Sequence, residues 1–520
     1  MGQPTIEEQL EAIRRAGAAR SEPLPPVTIL GGGIAGLVAA FELEQLGCEV
    51  TLIEARKRTQ GRIRTHRFGD GTYGELGPMR IPLHHDATRH YVSLCGLELR
   101  PFITAHQNLN GFYDIAGIVT RMSQAPIHLY PAFDLSSNQR QDDIPPKMLG
   151  RAVSDVVEGL TDAERESLRS PHLVSDRLRD LDNMTIRSFL EERCGISATE
   201  LIGLASGLET MFDRSVMMLL RDALISSGEG FDEIVGGMDR LPEALAGKLV
   251  RTRVVTGAEV VALRRVATDR LELVLDRQGS ISREVAQRVV CTLPFSVLRR
   301  LDIENAFSRP KLRAIRELSY MSSTKVLLHT RQRFWELEDG IVGGASQSDR
   351  IWRACYYPSD NVAIQQPASP GESRYNTMYG AYEGGVYVAR DLEVSKQPAV
   401  LLGSYTWGQD ARRIGGLPPD DRADVVVREL AAIHPAIAAE GMIDGHVSMF
   451  WDTERFTGGS FSEPGPGDHT RLYADTISPD GVVHFAGEHA STDPGWMQGA
   501  IISALRAVEE VMAQTATVPP

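Results

Sequence analysis

The 520-residue chain is poor in cysteine, and it has no surplus of positive charge. Cys48, Cys95, Cys194, Cys291 and Cys355 lie scattered without C-x-x-C spacing, which argues against a disulfide framework or a structural metal site. Acidic residues outnumber basic ones by 69 to 55, for a formal net charge of −14. Such a balance speaks against nucleic acid or an anionic membrane as a partner. No apolar run reaches the roughly 18 residues that a bilayer span requires. The first twenty residues, MGQPTIEEQLEAIRRAGAAR, are amphipathic and of mixed charge, with no apolar h-region. The Met-Gly opening lacks the downstream Ser or Thr of a myristoylation signal. These absences predict a soluble, cytoplasmic protein. No internal repeat or low-complexity tract is evident. Apolar residues at 42% and charged residues at 24% are ordinary for a globular chain, and the length predicts at least two domains.

The clearest local signal is PPVTILGGGIAGLVAAFELEQLGCEVTLIEA, residues 25–55. Val27 to Leu30 read as a short buried strand. Gly31, Gly33 and Gly36 form G-x-G-x-x-G: a tight turn, room for a pyrophosphate against the backbone, and close contact of helix with sheet. Apolar residues then continue at helical spacing until Gly47, and a second strand ends on Glu54. That acid lies where a carboxylate accepts from the ribose hydroxyls of an ADP moiety and repels a 2′-phosphate, so NADP is disfavoured. NAD and FAD both remain open on this evidence.

Further along, EIVGGMDRLPEALAGKL puts a Gly-Gly turn before a helix, and RVVTGAEVVALRR, RLELVLDR and QRVVCTLPF read as strands. VVHFAGEHASTDPGWMQGAIISALRAVEEVM reads as strand, loop and long helix. From about Asp142 to Ser227 the apolar spacing is helical, whereas STKVLLHTRQRFW and PAVLLGSYTW read as strands. The predicted fold class is α/β: a Rossmann-type nucleotide domain interleaved with an α+β substrate domain and a helical insertion. The expected bounds are 1–26 for an N-terminal helix and linker, and 27–80, 228–310 and 446–520 for the nucleotide domain. Residues 81–141 and 311–445 fall to the substrate domain, and 142–227 to the helical one. The ligand crevice is expected where the two domains meet.

EARKRTQGRIRTHR, which follows the second strand, resembles the second FAD motif of the flavin amine oxidases, with Arg62 in place and Gln60 where that family commonly carries a glycine. GGMDRLP (236–242), Val260 in GAEVVAL, and FAGEH (485–489) followed by GWMQGA (495–500) resemble further motifs of the same family. Together they extend over nearly the whole chain. The resemblance implies FAD held by Gly31, Gly33, Gly36, Glu54, Arg62, Met79, Arg80, Val260, Glu488, Trp496 and Met497. Ser460 stands where covalently flavinylated relatives have cysteine, which implies a non-covalent cofactor.

GELGPMRIP (74–82) is similar to the L-amino acid oxidase segment whose arginine pairs with the substrate α-carboxylate, here Arg80. A planar guanidinium suits a carboxylate; the alternative is a structural arginine paired with an acid such as Glu75. By the same resemblance Tyr405 is a second carboxylate contact and Lys325 the catalytic lysine that holds a water near flavin N5. Phe461 and Trp496 would flank the substrate. The alternatives are a half-buried strand aromatic, a solvated lysine at a strand edge and ordinary core aromatics. The implied reaction is oxidative deamination of an L-amino acid by dioxygen, giving 2-oxo acid, ammonia and hydrogen peroxide, with the enzyme a homodimer. Rival readings are an amino acid 2-monooxygenase, a monoamine or polyamine oxidase, and a flavin-binding protein without catalysis. Side-chain specificity is expected from the helical insertion and from the strands near Tyr356, Tyr357 and Tyr379; an acidic pocket and an apolar one are equally consistent with the sequence.

Overall fold

In a computed structural model, the described residues are 5–18, 26–142, 144–170, 172–226, 230–366 and 386–513. Most of the predicted linker and Tyr379 lie outside them.

Five short parallel strands form the nucleotide sheet, in the order Arg253–Thr256, Val50–Glu54, Val27–Leu30, Arg288–Cys291 and Val483–Phe485. They come from three separated stretches of chain, and all are joined in parallel register. Strands buried on both faces need predominantly apolar sequence, as Val27, Ile29 and Leu30 and then Val289 to Cys291 supply. Helix Ile34–Gln45 packs beside the long C-terminal helix Met497–Ala513, and the N-terminal helix Ile6–Ala18 joins their core through Ile6, Leu10 and Ile13. A three-stranded antiparallel meander, Glu259–Ala267, Arg270–Arg277 and Ser280–Ala286, hangs beside this sheet.

The second large sheet has seven strands, in the order Ile443–Phe450, Ser323–Thr330, Ala399–Trp407, Ala354–Tyr356, Ala345–Ser348, Phe112–Ile115 and Ile118–Arg121. The bound expected at 445 falls inside its edge strand: Ile443–Phe450 pairs along its length with Ser323–Thr330, so residues 446–450 belong to this sheet. Phe231–Ile234, expected in the nucleotide domain, pairs instead with Ile81–Pro82 and Leu99–Phe102 and so ties the two regions together. Between Pro146 and Ser226 the described residues are mainly helical, and Phe189, Leu201 and Leu220 share a buried core with Tyr113 and Ile115 of the seven-stranded sheet.

Candidate active site

The glycine turn is built for close approach. Gly31 takes φ +103°, a conformation that side chains rarely adopt. A Cβ at Gly36 would come within 1.9 Å of the Gly31 carbonyl oxygen, and one at Gly61 within 3.0 Å of Gly33 Cα. At the end of its strand, Glu54 is buried and accepts from the backbone N–H of Gly32 (2.7 Å) and of Arg56 (2.8 Å). These contacts fix the carboxylate beside the turn and leave its other lone pairs for ribose hydroxyls. Gln60 fits because its side-chain amide turns inward and donates to Asp239, which also pairs with Arg67.

From this turn a cavity of about 220 Å³ runs along the domain junction. Gly31, Gly33, Glu54, Arg62 and Val260 lie on its wall, and Glu488, Ser460, Trp496 and Met497 line it as well. Gly36 packs against the turn from inside the helix. Arg62 donates to Glu488 (2.7 Å) and to the Ser460 carbonyl (2.9 Å). Burial pushes the Glu488 carboxyl up, but Arg62 and the donors around it hold it below the ordinary value. Helix Met497–Ala513 begins on this wall, so its unpaired N–H groups and positive dipole end face the cavity.

A second cavity, about 130 Å³, continues from the first; Lys325, Tyr405, Phe461 and Trp496 line both. Met79 and Arg80, expected at the cofactor, line the second and are absent from the wall of the first. Lys325 and Tyr405 are directly opposed on neighbouring strands and so share a face, with Nζ 4.5 Å from the phenol ring centre. Lys325 sits in an interior strand at 2% exposure, which removes the solvated-edge alternative. Its Nζ donates to the carbonyls of Gly77 (2.6 Å) and Glu75 (3.2 Å). Burial, together with the charge of Arg80, lowers its pKa, although Glu75 pulls in the opposite direction. Burial raises the Tyr405 phenol to about 12, so it stays protonated.

Arg80 has no hydrogen bond or ion pair among the described residues. Its guanidinium instead lies 4.9 Å from the Phe231 ring centre, 5.9 Å from that of Phe102 and 6.0 Å from that of Tyr356. Phe231 in turn stacks on Trp496, with the ring planes 18° apart. The Glu75 carboxyl is occupied elsewhere, accepting from the Thr65 hydroxyl and from the Met238 N–H (2.8 Å). Among the described residues, Arg80 therefore presents an uncompensated charge beside a largely apolar cavity.

Sequence reasoning missed several lining residues. Trp407 follows Tyr405 at the two-residue spacing that keeps strand side chains on one face, and the rings meet at 5.0 Å. Met211, Met218, Arg221 and Asp222 come from the helical insertion, and His469 and Asp493 from loops and short helices near the C-terminus. No local spacing marks them. Of the tyrosines expected to set specificity, Tyr356 lies close to Arg80, whereas Tyr357 is fully buried in a separate core, bonded to Ser346 and His434.

A parallel nucleotide sheet, a glycine turn with its acid and a long junction cleft leading to a second pocket define a dinucleotide-binding protein. The sequence profile of the flavin-containing amine oxidoreductases matches residues 34–512, and the chain belongs to that family. It is 31% identical to the flavin-dependent L-tryptophan oxidase RebO of Lentzea aerocolonigenes, over 94% of this chain and 98% of that protein. Identity is 30% to an L-amino-acid oxidase of Siganus canaliculatus, covering 94% and 85% of the two chains. A putrescine oxidase double mutant superposes with TM-score 0.70 at 20% identity, over 94% of this chain and all of the other, a likeness of fold. The chain is an enzyme, and its cofactor is FAD, which the glycine turn, Glu54 and the Arg62–Glu488 pair fit.

Proposed function

We propose that the enzyme oxidises an L-amino acid at its α-amine, with FAD held non-covalently. The observation that carries this reading is Arg80, a cation with no counter-ion among the described residues, on the wall of the second cavity and a few residues along the chain from Gly77 and Glu75, whose carbonyls anchor Lys325. An amine lacking a carboxylate would leave that charge uncompensated in a low-dielectric space, whereas an α-carboxylate completes it. Named relatives that act on L-tryptophan and other L-amino acids support the same reading.

When bound, FAD supplies the acceptor for the Cα hydride and, with dioxygen, the route to hydrogen peroxide. Arg80, with the protonated Tyr405 phenol as a second donor, fixes the carboxylate. Trp496 and Phe461 confine the substrate and keep bulk water out. The substrate ammonium must shed a proton before its lone pair can assist loss of hydride. Lys325 is suited to hold that proton, directly or through one water: with two N–H bonds directed to carbonyls, a neutral amine keeps its lone pair available. The imine product then hydrolyses to 2-oxo acid and ammonia. The test is anaerobic mixing of the holoenzyme with each L-amino acid, followed by product analysis in air. Bleaching with peroxide and 2-oxo acid is expected. Bleaching only by plain amines removes the carboxylate role, and an amide product replaces the oxidase with a monooxygenase.

A further inference from the structure

The second cavity has a polar end that the chemistry above does not use. Arg221, at the close of helix Met217–Arg221, is 3% exposed, and its Nη1 lies 2.6 Å from Nδ1 of His469. A guanidinium can only donate. Nδ1 of His469 must therefore offer its lone pair, which makes the ring a neutral imidazole carrying its proton on Nε2. Burial and the neighbouring Arg221 charge both keep the ring from taking a second proton. His469 is 2% exposed, and its Nε2 has no hydrogen-bond partner among the described residues. A fixed, buried N–H donor without an acceptor is a costly feature unless something arrives to meet it.

The surroundings narrow what that is. Met211, Met218, Phe461 and Trp496 make the walls mainly apolar. Arg221 opposes a cationic side chain, and Asp222 with Asp493 opposes an anionic one. Either would also have to give up its hydration. Resting on the amino-acid reading above, we infer that the Arg221–His469 pair determines specificity, by selecting a large uncharged side chain that ends in a hydrogen-bond acceptor over its hydrocarbon counterpart. Phenol and carboxamide share this chemistry.

The test compares kcat/KM of the holoenzyme for L-tyrosine against L-phenylalanine and for L-glutamine against L-norleucine. The same ratios are measured in His469→Phe, which removes the donor, and His469→Gln, which restores an N–H at the end of the side chain. The wild type is expected to favour the acceptor-bearing member of at least one pair by about tenfold or more. That ratio falls toward one in His469→Phe and recovers in part in His469→Gln, and the pair that responds identifies the acceptor. An equal rate within both pairs in the wild type overturns the inference, and so does a preference that survives His469→Phe. If His469→Phe fails to retain flavin, the wild-type and His469→Gln ratios decide: preference lost in a flavin-loaded glutamine variant counts against a simple donor role. Failure of every amino acid to bleach the flavin would instead remove the underlying reading, a separate and recognisable result.

Discussion

Lys325 and Glu75 meet through the backbone and not through their charged ends: the Lys325 amine donates to the Glu75 carbonyl at 3.2 Å, while the Glu75 carboxyl turns away to Thr65 and Met238. Lys325 is buried and Glu75 half-buried, and desolvation moves both toward their neutral forms, raising the carboxyl and lowering the amine. Whatever fraction of Glu75 is ionised stabilises the Lys325 ammonium.

Replacing Glu75 with glutamine therefore lowers the Lys325 pKa further. If neutral Lys325 takes the substrate proton, the rate of flavin reduction rises as pH increases through that pKa, and the rising limb moves to lower pH in Glu75→Gln. Stopped-flow reduction across pH checks this. A limb that stays in place, or moves to higher pH, dissociates Lys325 from proton transfer. In Lys325→Met the limb itself should disappear, with a loss of rate on the order of 10²-fold or more.

Arg80 gives a prediction in KM. Arg80→Ala removes the proposed two-pronged partner of the carboxylate and should raise KM by about 10²-fold, whereas Arg80→Lys keeps the charge, loses the fork and should fall in between. Steady-state kinetics with flavin content as the control check the order. An unchanged KM in Arg80→Ala excludes carboxylate binding by this residue.

The nucleotide half was legible because its signals are local. Val27 to Leu30, the three glycines and Glu54 follow one another at spacings set by a strand, a turn and a helix, and the structure keeps that register. Gln60 shows how a motif tolerates a departure: the side chain leaves the turn and finds Asp239, 179 residues away. The far end of the second cavity was not legible for the opposite reason. Arg221 and His469 are 248 positions apart, on short helices whose own sequences carry no periodic sign of a partner. Near the expected bounds at 445 and 228, the strands Ile443–Phe450 and Phe231–Ile234 pair outside the nucleotide sheet, since pairing is decided by tertiary contact and not by where a motif ends.

Ser460 predicts how the cofactor is held. Its hydroxyl donates to the Met321 carbonyl (2.7 Å) on the wall of the first cavity, and it has no thiol with which to form a flavin thioether. Acid or heat denaturation should release the yellow chromophore fully into the supernatant. Flavin absorbance that stays with the washed precipitate would show a covalent link at some other residue.

A last prediction concerns stability, through the His329 imidazole held between Asp70 and Asp444. Its Nε2 lies 2.9 Å from the Asp70 carboxylate, and Nδ1 contacts Asp444. Asp70 follows strand Thr65–Arg67, and the other two residues stand on neighbouring strands of the seven-stranded sheet, so the contact pins a turn to that sheet's edge. Burial alone would lower the imidazole, but the two carboxylates more than offset it and raise the pKa above the ordinary 6.5. Asp70 is held down at about 2, against burial, by Thr72 and by His329. A raised histidine contributes its stability fully below 6.5 and loses it as pH climbs through the folded value. A depressed carboxylate contributes above its ordinary 3.8 and loses it as pH falls through about 2. The contact thus stabilises most between about pH 4 and 6.5. The Tm of Asp70→Asn/Asp444→Asn holoenzyme should lie furthest below the wild type in that window, and the gap should narrow on the alkaline side as the wild-type imidazole deprotonates. Added salt should also shrink it, because both carboxylates are partly exposed. A gap that is constant with pH would mean that the loss comes from packing or hydrogen bonding at the turn and not from the charges.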